Sequence, residues 1–442
     1  MALGGGNWLS QNKKLPGSYI NFVSVGTSGA TLSDRGVGAL GLALDWGIDG
    51  EVFTVTNANF QKNSLKLFGY AYTDAALTGL RDFFAGGAHT LHAYKLNSAA
   101  TGKASNAFGA AKHAGSRGNS ITIKIAANAD DSSKWDVTTI FDNVTVDVQT
   151  VAAATALVDN DYVDFDSTAT LAATAGTPMT GGVSATVTAA NHQTCIEKLE
   201  PFAFNAIGII SDERTQGAPA LNALYGAFAR RMRDEQGVKF QAVCFRYAGD
   251  YEGIVNVENV VSDTGVSAAS LVYWVTGVVA ATAVNRSALN RKYDGEFTVD
   301  VDCTQSQLEA CIDSGKFTLH RVGADIRVLA DINSLVTTTA TKNDLFKENQ
   351  TIRVIDAIAN DIANMFNGKY LGQIPNNNAG RISLWTDIVK YHRDLERIGA
   401  IENFDESVVK VDQGDTKRSV VVNEAITVVN AMGQLYMTCI VA

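Results

Sequence analysis

Three stretches of the sequence carry residue types that could do chemistry. Residues 36–41 match the GxGxxG pattern of dinucleotide-binding loops, but such a loop must end a strand and begin a helix, and here the sequence continues as strand and turn. His89 and His92 lie three apart in a predicted strand and therefore face opposite sides, which does not suit binding of one metal ion. The acidic run 159–166 lacks the central Gly and terminal Glu of a calcium loop. None of these stretches predicts a cofactor or metal site.

Nucleophilic catalysis finds no better support in the sequence. No GxSxG elbow, HExxH or catalytic cysteine motif occurs. A subtilisin-like hydrolase would need a nucleophile beside a base, and the only histidines between residues 189 and 340 are His192 and His320. We therefore predict no catalytic residue and keep the hydrolase as the alternative function. The cysteines are irregularly spaced without a CxxC, which predicts reduced thiols and assembly in a cytoplasm; they are Cys195, Cys244, Cys303, Cys311 and Cys439.

A basic face is predicted on a helix spanning residues 381–399. Lys390, Arg393 and Arg397 occupy positions i, i+3 and i+7, so they share a face opposite the apolar stripe. Two interpretations stay open. The face can be an ordinary solvated one, with Lys390 and Asp394 paired at i, i+4, or it can be a basic ridge that docks an acidic partner.

Both ends of the sequence predict strands. Near the end, period-2 alternation over residues 434–441 is typical of a strand, and residues 18–25 follow a Pro-Gly turn as another. An apolar strand at a terminus must pair or risk aggregation. We expect the two arms to add strands to neighbouring subunits through these residues: Tyr19, Ile20, Phe22, Leu435, Tyr436, Met437, Cys439 and Val441.

Composition limits the possible functions. The chain has 442 residues, of which 46% are apolar and only 19% charged, with a net charge of −10. No segment is basic, which argues against a nucleic-acid partner. The longest apolar stretch, residues 271–284, is too short to cross a bilayer, so no membrane insertion is expected, and the start of the sequence lacks the pattern of a signal peptide. Low charge suits a surface largely covered by other copies of the chain.

The fold class predicted is mixed α/β and all-β, in several domains. A β-α-β pattern over residues 205–246 implies a parallel sheet, short alternating runs imply an inserted β-sandwich, and two helices and then strands follow residue 340. The predicted segments are an N-terminal arm (1–25), the first part of an α/β domain (26–97), the sandwich (98–188), a parallel α/β domain (189–340), a C-terminal domain (341–432) and a strand arm (433–442).

The two ends resemble a known family. The opening GGNWLSQNK and LPGSYINF at residues 5–22, and VNAMGQLYMT at residues 429–438, are similar to the terminal segments of contractile tail sheath proteins from phages, defective prophages and phage-tail-like bacteriocins. The resemblance extends over essentially the whole chain. It implies that the parallel α/β domain is similar to a subtilisin fold without catalytic residues, and that the domains around it lie near the tail tube.

The resemblance also implies a function and partners. Subunits would stack as hexameric rings around a tail tube, joined by strand-donating arms, and would contract on a signal from the baseplate to drive the tube through a target envelope. The expected partners are other copies of the chain and the tail tube, baseplate and tail terminator proteins. The receiving hairpin would follow Ser407, and the ridge of Lys390, Arg393 and Arg397 would attach the tube. No cofactor is expected.

Overall fold

The computed structural model describes residues 32–98, 102–212 and 217–441. The predicted N-terminal arm, with Tyr19, Ile20 and Phe22, lies outside the described residues. The described residues form two compact units. The larger contains residues 33–360, 395–404 and 426–441, and the smaller contains residues 361–394 and 405–425.

The strands, in chain order, are β1 (Val37–Leu42), β2 (Val52–Thr56), β3 (Thr90–Lys95), β4 (Ser105–Asn106), β5 (Gly109–Ala111), β6 (Ile121–Ala127), β7 (Trp135–Phe141), β8 (Val144–Val151), β9 (Val163–Phe165), β10 (Thr174–Pro178), β11 (Ala206–Ile209), β12 (Gln241–Phe245), β13 (Ile254–Val257), β14 (Lys316–Phe317), β15 (Leu319–Val322), β16 (Asp325–Val328), β17 (Ile401–Glu402), β18 (Lys410–Gln413), β19 (Val420–Asn423) and β20 (Thr427–Val428).

The α-helices are α1 (Asn57–Phe68), α2 (Thr78–Ala85), α3 (Ala189–Leu199), α4 (Ala218–Arg230), α5 (Leu271–Ala281), α6 (Gln305–Asp313), α7 (Asn349–Met365) and α8 (Asn378–Arg397). Turns of π-helix extend α4 over Arg231–Gln236 and α7 over Phe366–Tyr370.

A seven-stranded sheet organises the larger unit, in the order β14-β13-β12-β11-β1-β3-β2, and every neighbouring pair is parallel except β2 with β3. Its central strands are buried on both faces, as parallel sheets require. Because side chains alternate along a strand, Val243 of β12 packs with α5 on one face, while Ala242 and Cys244 pack with α3 and α4 on the other.

The inserted segment is all-β. Strands β10-β6-β7-β8 form an antiparallel sheet and β4-β5-β9 a smaller one. Alternate residues of β6 (Ile121, Ile123 and Ile125) are buried in the core that these sheets share. Trp46 also lies in this core and is fully buried, although it precedes the insertion in the chain.

The predicted β-α-β pattern is confirmed: β11, α4 and β12 lie within the predicted ranges, and the two strands are parallel neighbours. Strands from segments 26–97 and 189–340 form one sheet, while the domain boundaries stay a prediction. The apolar stripe over residues 352–366, followed by Gly368, predicts a helix that Gly368 caps, and the pattern over residues 26–97 predicts one helix, at residues 74–84. Both expectations were wrong. Gly368 does not cap α7, because the helix continues as a π turn through it. The pattern also missed α1, which lies between β2 and β3.

Close packing of α2 on α5 generates a test of the fold. A Cβ on Gly277 would lie 2.0 Å from the Phe83 carbonyl oxygen, and one on Gly86 would lie 2.5 Å from that of Trp274. Backbone atoms cannot yield to such contacts. We expect Gly277→Ala to lower the free energy of unfolding by about 1–3 kcal/mol or more, measured by urea denaturation. The matched change Gly368→Ala, where nothing lies within 4 Å, should be nearly neutral, and equal stabilities for both variants would contradict this packing.

Candidate assembly surfaces

Within the described part of the chain, the backbone hydrogen bonds between the C-terminal segment and the rest of the larger unit lie at the root of the segment, residues 427–431. β20 pairs with β17, and the Val429 N–H donates to the Ala400 carbonyl oxygen (3.1 Å). The Gln350 side chain bonds to the backbone on both sides of residue 430. Its Nε2 donates to the Val429 carbonyl oxygen and its Oε1 accepts from the Ala431 N–H, each at 3.0 Å.

Beyond this root the segment is exposed. Its large apolar side chains are between 79% and 91% exposed from residue 435 onward, and Cys439 is also exposed; they are Leu435, Tyr436, Met437, Ile440 and Val441. Residues 429–441 form no helix or strand with other described residues. The predicted strand is therefore absent from the isolated subunit, and its pairing in an assembly stays a prediction. An apolar run of this kind marks a surface for association.

A two-stranded hairpin, β18–β19, belongs to the smaller unit. Its strands pair only with each other among the described residues, in a register from Lys410–Asn423 to Gln413–Val420. An isolated hairpin presents two rows of unpaired backbone N–H and C=O groups, to which a further strand can add. Val421 and Val422 are exposed on it.

Side chains of the smaller unit hold this hairpin. Asn376 Nδ2 donates to the Ser419 carbonyl oxygen (2.8 Å), and the Trp385 indole N–H donates to the Val409 carbonyl oxygen (3.1 Å). Because the Trp385 bond engages the chain next to β18 and the Asn376 bond engages the chain next to β19, the hairpin is positioned before any partner strand arrives.

His392 of α8 is buried and links this helix to the end of the hairpin. Its Nδ1 faces the Ile388 carbonyl oxygen (2.9 Å) and its Nε2 faces the Glu424 carboxylate (3.4 Å). Burial lowers the pKa of His392, but the Glu424 carboxylate and the Ile388 carbonyl favour the imidazolium and hold the pKa above its ordinary value. Both ring nitrogens face acceptors, so the protonated form suits this site. The sequence pattern places His392 in the apolar stripe of this helix and predicts no contact with an acidic side chain for it.

The predicted basic face lies on α8, with Lys390, Arg393 and Arg397 all exposed. Arg393 Nη2 lies 2.6 Å from a Glu406 oxygen, which offsets part of the positive charge. This partner comes from a distant part of the chain and could not be read from helical spacing. The two interpretations of the face, solvated surface and docking ridge, both stay open.

The three stretches with chemical residue types have structural roles. Residues 37–41 lie in the central strand β1, where a Cβ on Gly38 would collide with the Phe83 ring at 2.6 Å; these glycines make room for side chains and do not form a phosphate loop. His92 Nδ1 lies 2.9 Å from Thr54 Oγ1. In the acidic run, Lys112 Nζ lies 2.6 Å from Asp164.

The surroundings of His192 do not support the alternative function, a hydrolase. His192 is buried, its Nδ1 lies 3.1 Å from the Tyr225 hydroxyl, and burial lowers its pKa to about 4. Burial also raises the pKa of the neighbouring Cys195 thiol to about 12. Within the described ranges no cluster of three potential metal ligands occurs, and no described helix is long and apolar enough to cross a membrane.

A buried polar network at the start of α7 was missed by the apolar-stripe analysis. Arg353 pairs with Asp331, and Arg233 contacts both carboxylate oxygens of Asp356 at 2.6 and 2.8 Å, with all four side chains buried. Coulombic attraction to Arg353 keeps the pKa of Asp331 below its usual value despite the opposing effect of burial. The sign of this network in the sequence is the regular spacing of polar residues in α7, with Gln350, Arg353 and Asp356 at i, i+3 and i+6.

Models of phage tail sheath domains match most of the chain. The beta-sandwich domain matches residues 87–185, the central domain of the phage tail sheath protein matches residues 185–334, and the phage tail sheath C-terminal domain matches residues 341–442. The phage-like element PBSX protein XkdK of Bacillus subtilis (strain 168) is 30% identical over 466 residues, covering 98% of each chain.

Solved structures agree with this similarity. The sheath tail protein from Desulfitobacterium hafniense is 34% identical, with a TM-score of 0.78 over 90% of this chain and 93% of that one. The contracted helical sheath of the anti-feeding prophage shares the fold at 15% identity, with a TM-score of 0.57 over 96% and 99% of the two chains. The protein described here therefore belongs to the phage tail sheath family and is a structural, non-enzymatic tail sheath protein.

Proposed function

We propose that the chain polymerises as stacked hexameric rings around a tail tube and contracts to drive the tube through a target envelope. The observation that carries this proposal is the exposed apolar segment 432–441, which has no partner strand among the described residues of its own subunit. Burying each such side chain contributes about 1.5–3 kcal/mol, so pairing with another subunit is strongly favoured. The similarity to a contracted sheath supports the same conclusion.

The mesh is built from donated strands. In this proposal the hairpin β18–β19 receives the C-terminal arm, residues 433–442, of one neighbour and the N-terminal arm, residues 1–25, of another. Leu435, Met437, Cys439 and Val441 then lie on one face of the added strand. Support comes from the two open edges of the hairpin and from its fixation by Asn376 and Trp385.

The remaining regions take roles that follow from this assembly. Segments 26–97 and 341–432 lie near the tube, the parallel-sheet region 189–340 is similar to a non-catalytic subtilisin fold, and the β-sandwich 98–188 projects outward. Besides other copies of the chain, the partners are tail tube, baseplate and tail terminator proteins, and particles assemble in the host cytoplasm. The match to an anti-feeding prophage baseplate structure supports the baseplate contact.

Electron microscopy of the purified full-length chain tests the proposal. We expect tubes or stacked rings in negative stain, with six subunits in each ring after averaging. A chain that remains monomeric at high concentration, with its full C-terminal segment intact, would contradict self-assembly through the arms.

Removing the C-terminal arm should separate folding from assembly. Deletion from Gly433 onward removes residues that bury almost nothing in their own subunit, so the melting temperature should change little while tubes disappear. The measurement is thermal unfolding together with particle counts by negative stain. Tubes of normal length from the truncated chain would overturn the donated-strand proposal, and loss of folding would assign the segment to the subunit's own core.

Excising the sandwich should weaken the subunit but permit assembly. A Gly/Ser bridge from Asn97 to Ala189 uncovers Trp46, whose ring lies 5.0 Å from that of Phe141. We expect a large loss of stability with tubes retained. Trp46→Ala in the full chain is the matched control, and should cost about 3–5 kcal/mol without loss of tubes. A folded excised protein that forms no tubes would place the sandwich in the mesh.

Reversing the charge of the ridge should detach the tube. Changing Lys390, Arg393 and Arg397 to Glu should preserve folding and sheath contacts but yield empty, contracted sheaths. Each exposed pair contributes only about 0.2–1 kcal/mol, but repetition around every ring makes the contact strong. Raising salt should approach the same result.

A matched variant separates tube docking from the internal pair. Arg393→Glu combined with Glu406→Lys restores a pair at the site of the 2.6 Å contact while changing the charge at Arg393. If the ridge docks the tube, the double variant should remain defective in counts of tube-filled particles. Normal numbers of extended, filled tails from the triple variant would leave the solvated-face interpretation standing.

A further inference from the structure

Beyond the β17–β20 pairing, the root of the C-terminal arm is held by a side chain that forms the hydrogen bonds of a neighbouring strand. The amide of Gln350 donates to the carbonyl oxygen of residue 429 and accepts from the N–H of residue 431, each at 3.0 Å. In a parallel sheet, the N–H and C=O of one residue bond two residues of the neighbouring strand in the same pattern. On this side of the arm the Gln350 amide therefore takes the place of a neighbouring strand and fixes the direction of the backbone just beyond β20.

Gln350 is itself rigidly placed. It is 4% exposed and is the second residue of α7. Its neighbour Asn349 is fully buried, donates to Asp331 Oδ1 (3.1 Å) and accepts from Gln241 Nε2 (2.8 Å). Because Gln241 lies on β12, the position of Gln350 is tied to the central sheet through buried polar groups, which are costly to break.

The arm loses its attachment immediately after this contact. Of the described residues, Ala431 is the last in the arm whose backbone bonds to the rest of the subunit. Met432, the next residue, is 99% exposed. Gly433 follows, and a Cβ there would meet, among the described residues outside its own chain neighbours, a single atom within 4 Å, Leu289 Cδ2 at 3.7 Å. The direction of the exposed segment is thus set at Gln350.

We propose that Gln350 is a positioning residue for assembly, which aims the C-terminal arm at the neighbouring subunit. The inference rests on the proposed donation of this arm. Fixing the root lowers the conformational entropy that the arm loses on docking, while the hydrogen bonds of Gln350 add nothing to the contact between subunits. Loss of the clamp should therefore slow assembly without removing any residue of the interface.

Gln350→Met tests the clamp, since it keeps the length of the side chain and removes both hydrogen bonds. In the unassembled protein, hydrogen exchange of the Ala431 N–H should rise to the rate of residues 433–441, while the Val429 N–H stays protected by its bond to the Ala400 carbonyl oxygen. Polymerisation, followed by light scattering, should slow about tenfold, as expected for two lost hydrogen bonds. The melting temperature should match that of the control Thr351→Val, which removes only the contact between Thr351 Oγ1 and the Asn430 side chain (3.2 Å) and should assemble normally.

Gln350→Glu provides a second variant. It retains an acceptor for the Ala431 N–H but sets a carboxylate oxygen against the Val429 carbonyl oxygen, so intermediate exchange and slowed assembly are expected. If Gln350→Met does not fold, Gln350→Glu and the wild type still test the proposal. Fast hydrogen exchange of the Ala431 N–H in the wild type would overturn the clamp. Normal assembly of a folded Met variant would also overturn it. Failure of the donated-strand proposal is distinguishable, because then deletion from Gly433 onward leaves assembly intact.

Discussion

The structure depends on one constraint, an apolar segment that the described part of its own subunit does not bury. Five large apolar side chains between Leu435 and Val441 are exposed, while other described apolar residues form buried cores. Their burial would release on the order of 10 kcal/mol, reduced by the entropy of ordering the segment. In the proposed assembly, association between subunits completes the burial of this apolar surface.

Other parts of the described structure fix the start of that segment in place. The central sheet is covered on both faces, so it supplies a rigid base. Buried polar contacts tie the start of α7 to this base, and α7 in turn holds the arm root through Gln350. In the smaller unit, His392 and Glu424 anchor the end of a hairpin with open edges. In the proposed assembly, the arm root and the hairpin are both ordered before they pair, which lowers the entropic cost of assembly.

How far the sequence predicts these features depends on the range of the interactions. Period-2 and helical patterns located β11, α4 and β12 because local burial decides them. The same rule predicted a strand in residues 433–441, which the subunit alone does not form, since a strand needs a partner. The pair Arg393–Glu406 and the clamp at Gln350 join residues far apart in the chain. The periodicity of one segment does not predict contacts with a distant segment. A buried polar network next to an apolar stripe has no periodic signal of its own in the sequence.

The most direct measurement of the central claim is a cryo-electron microscopy map of the polymer formed by the full chain. The account predicts density for residues 435–441 of one subunit as a strand hydrogen-bonded to an edge of the β18–β19 hairpin of another. Leu435, Met437, Cys439 and Val441 should lie on one face of that strand. Density showing these residues folded against their own subunit, or subunits joined without them, would contradict it.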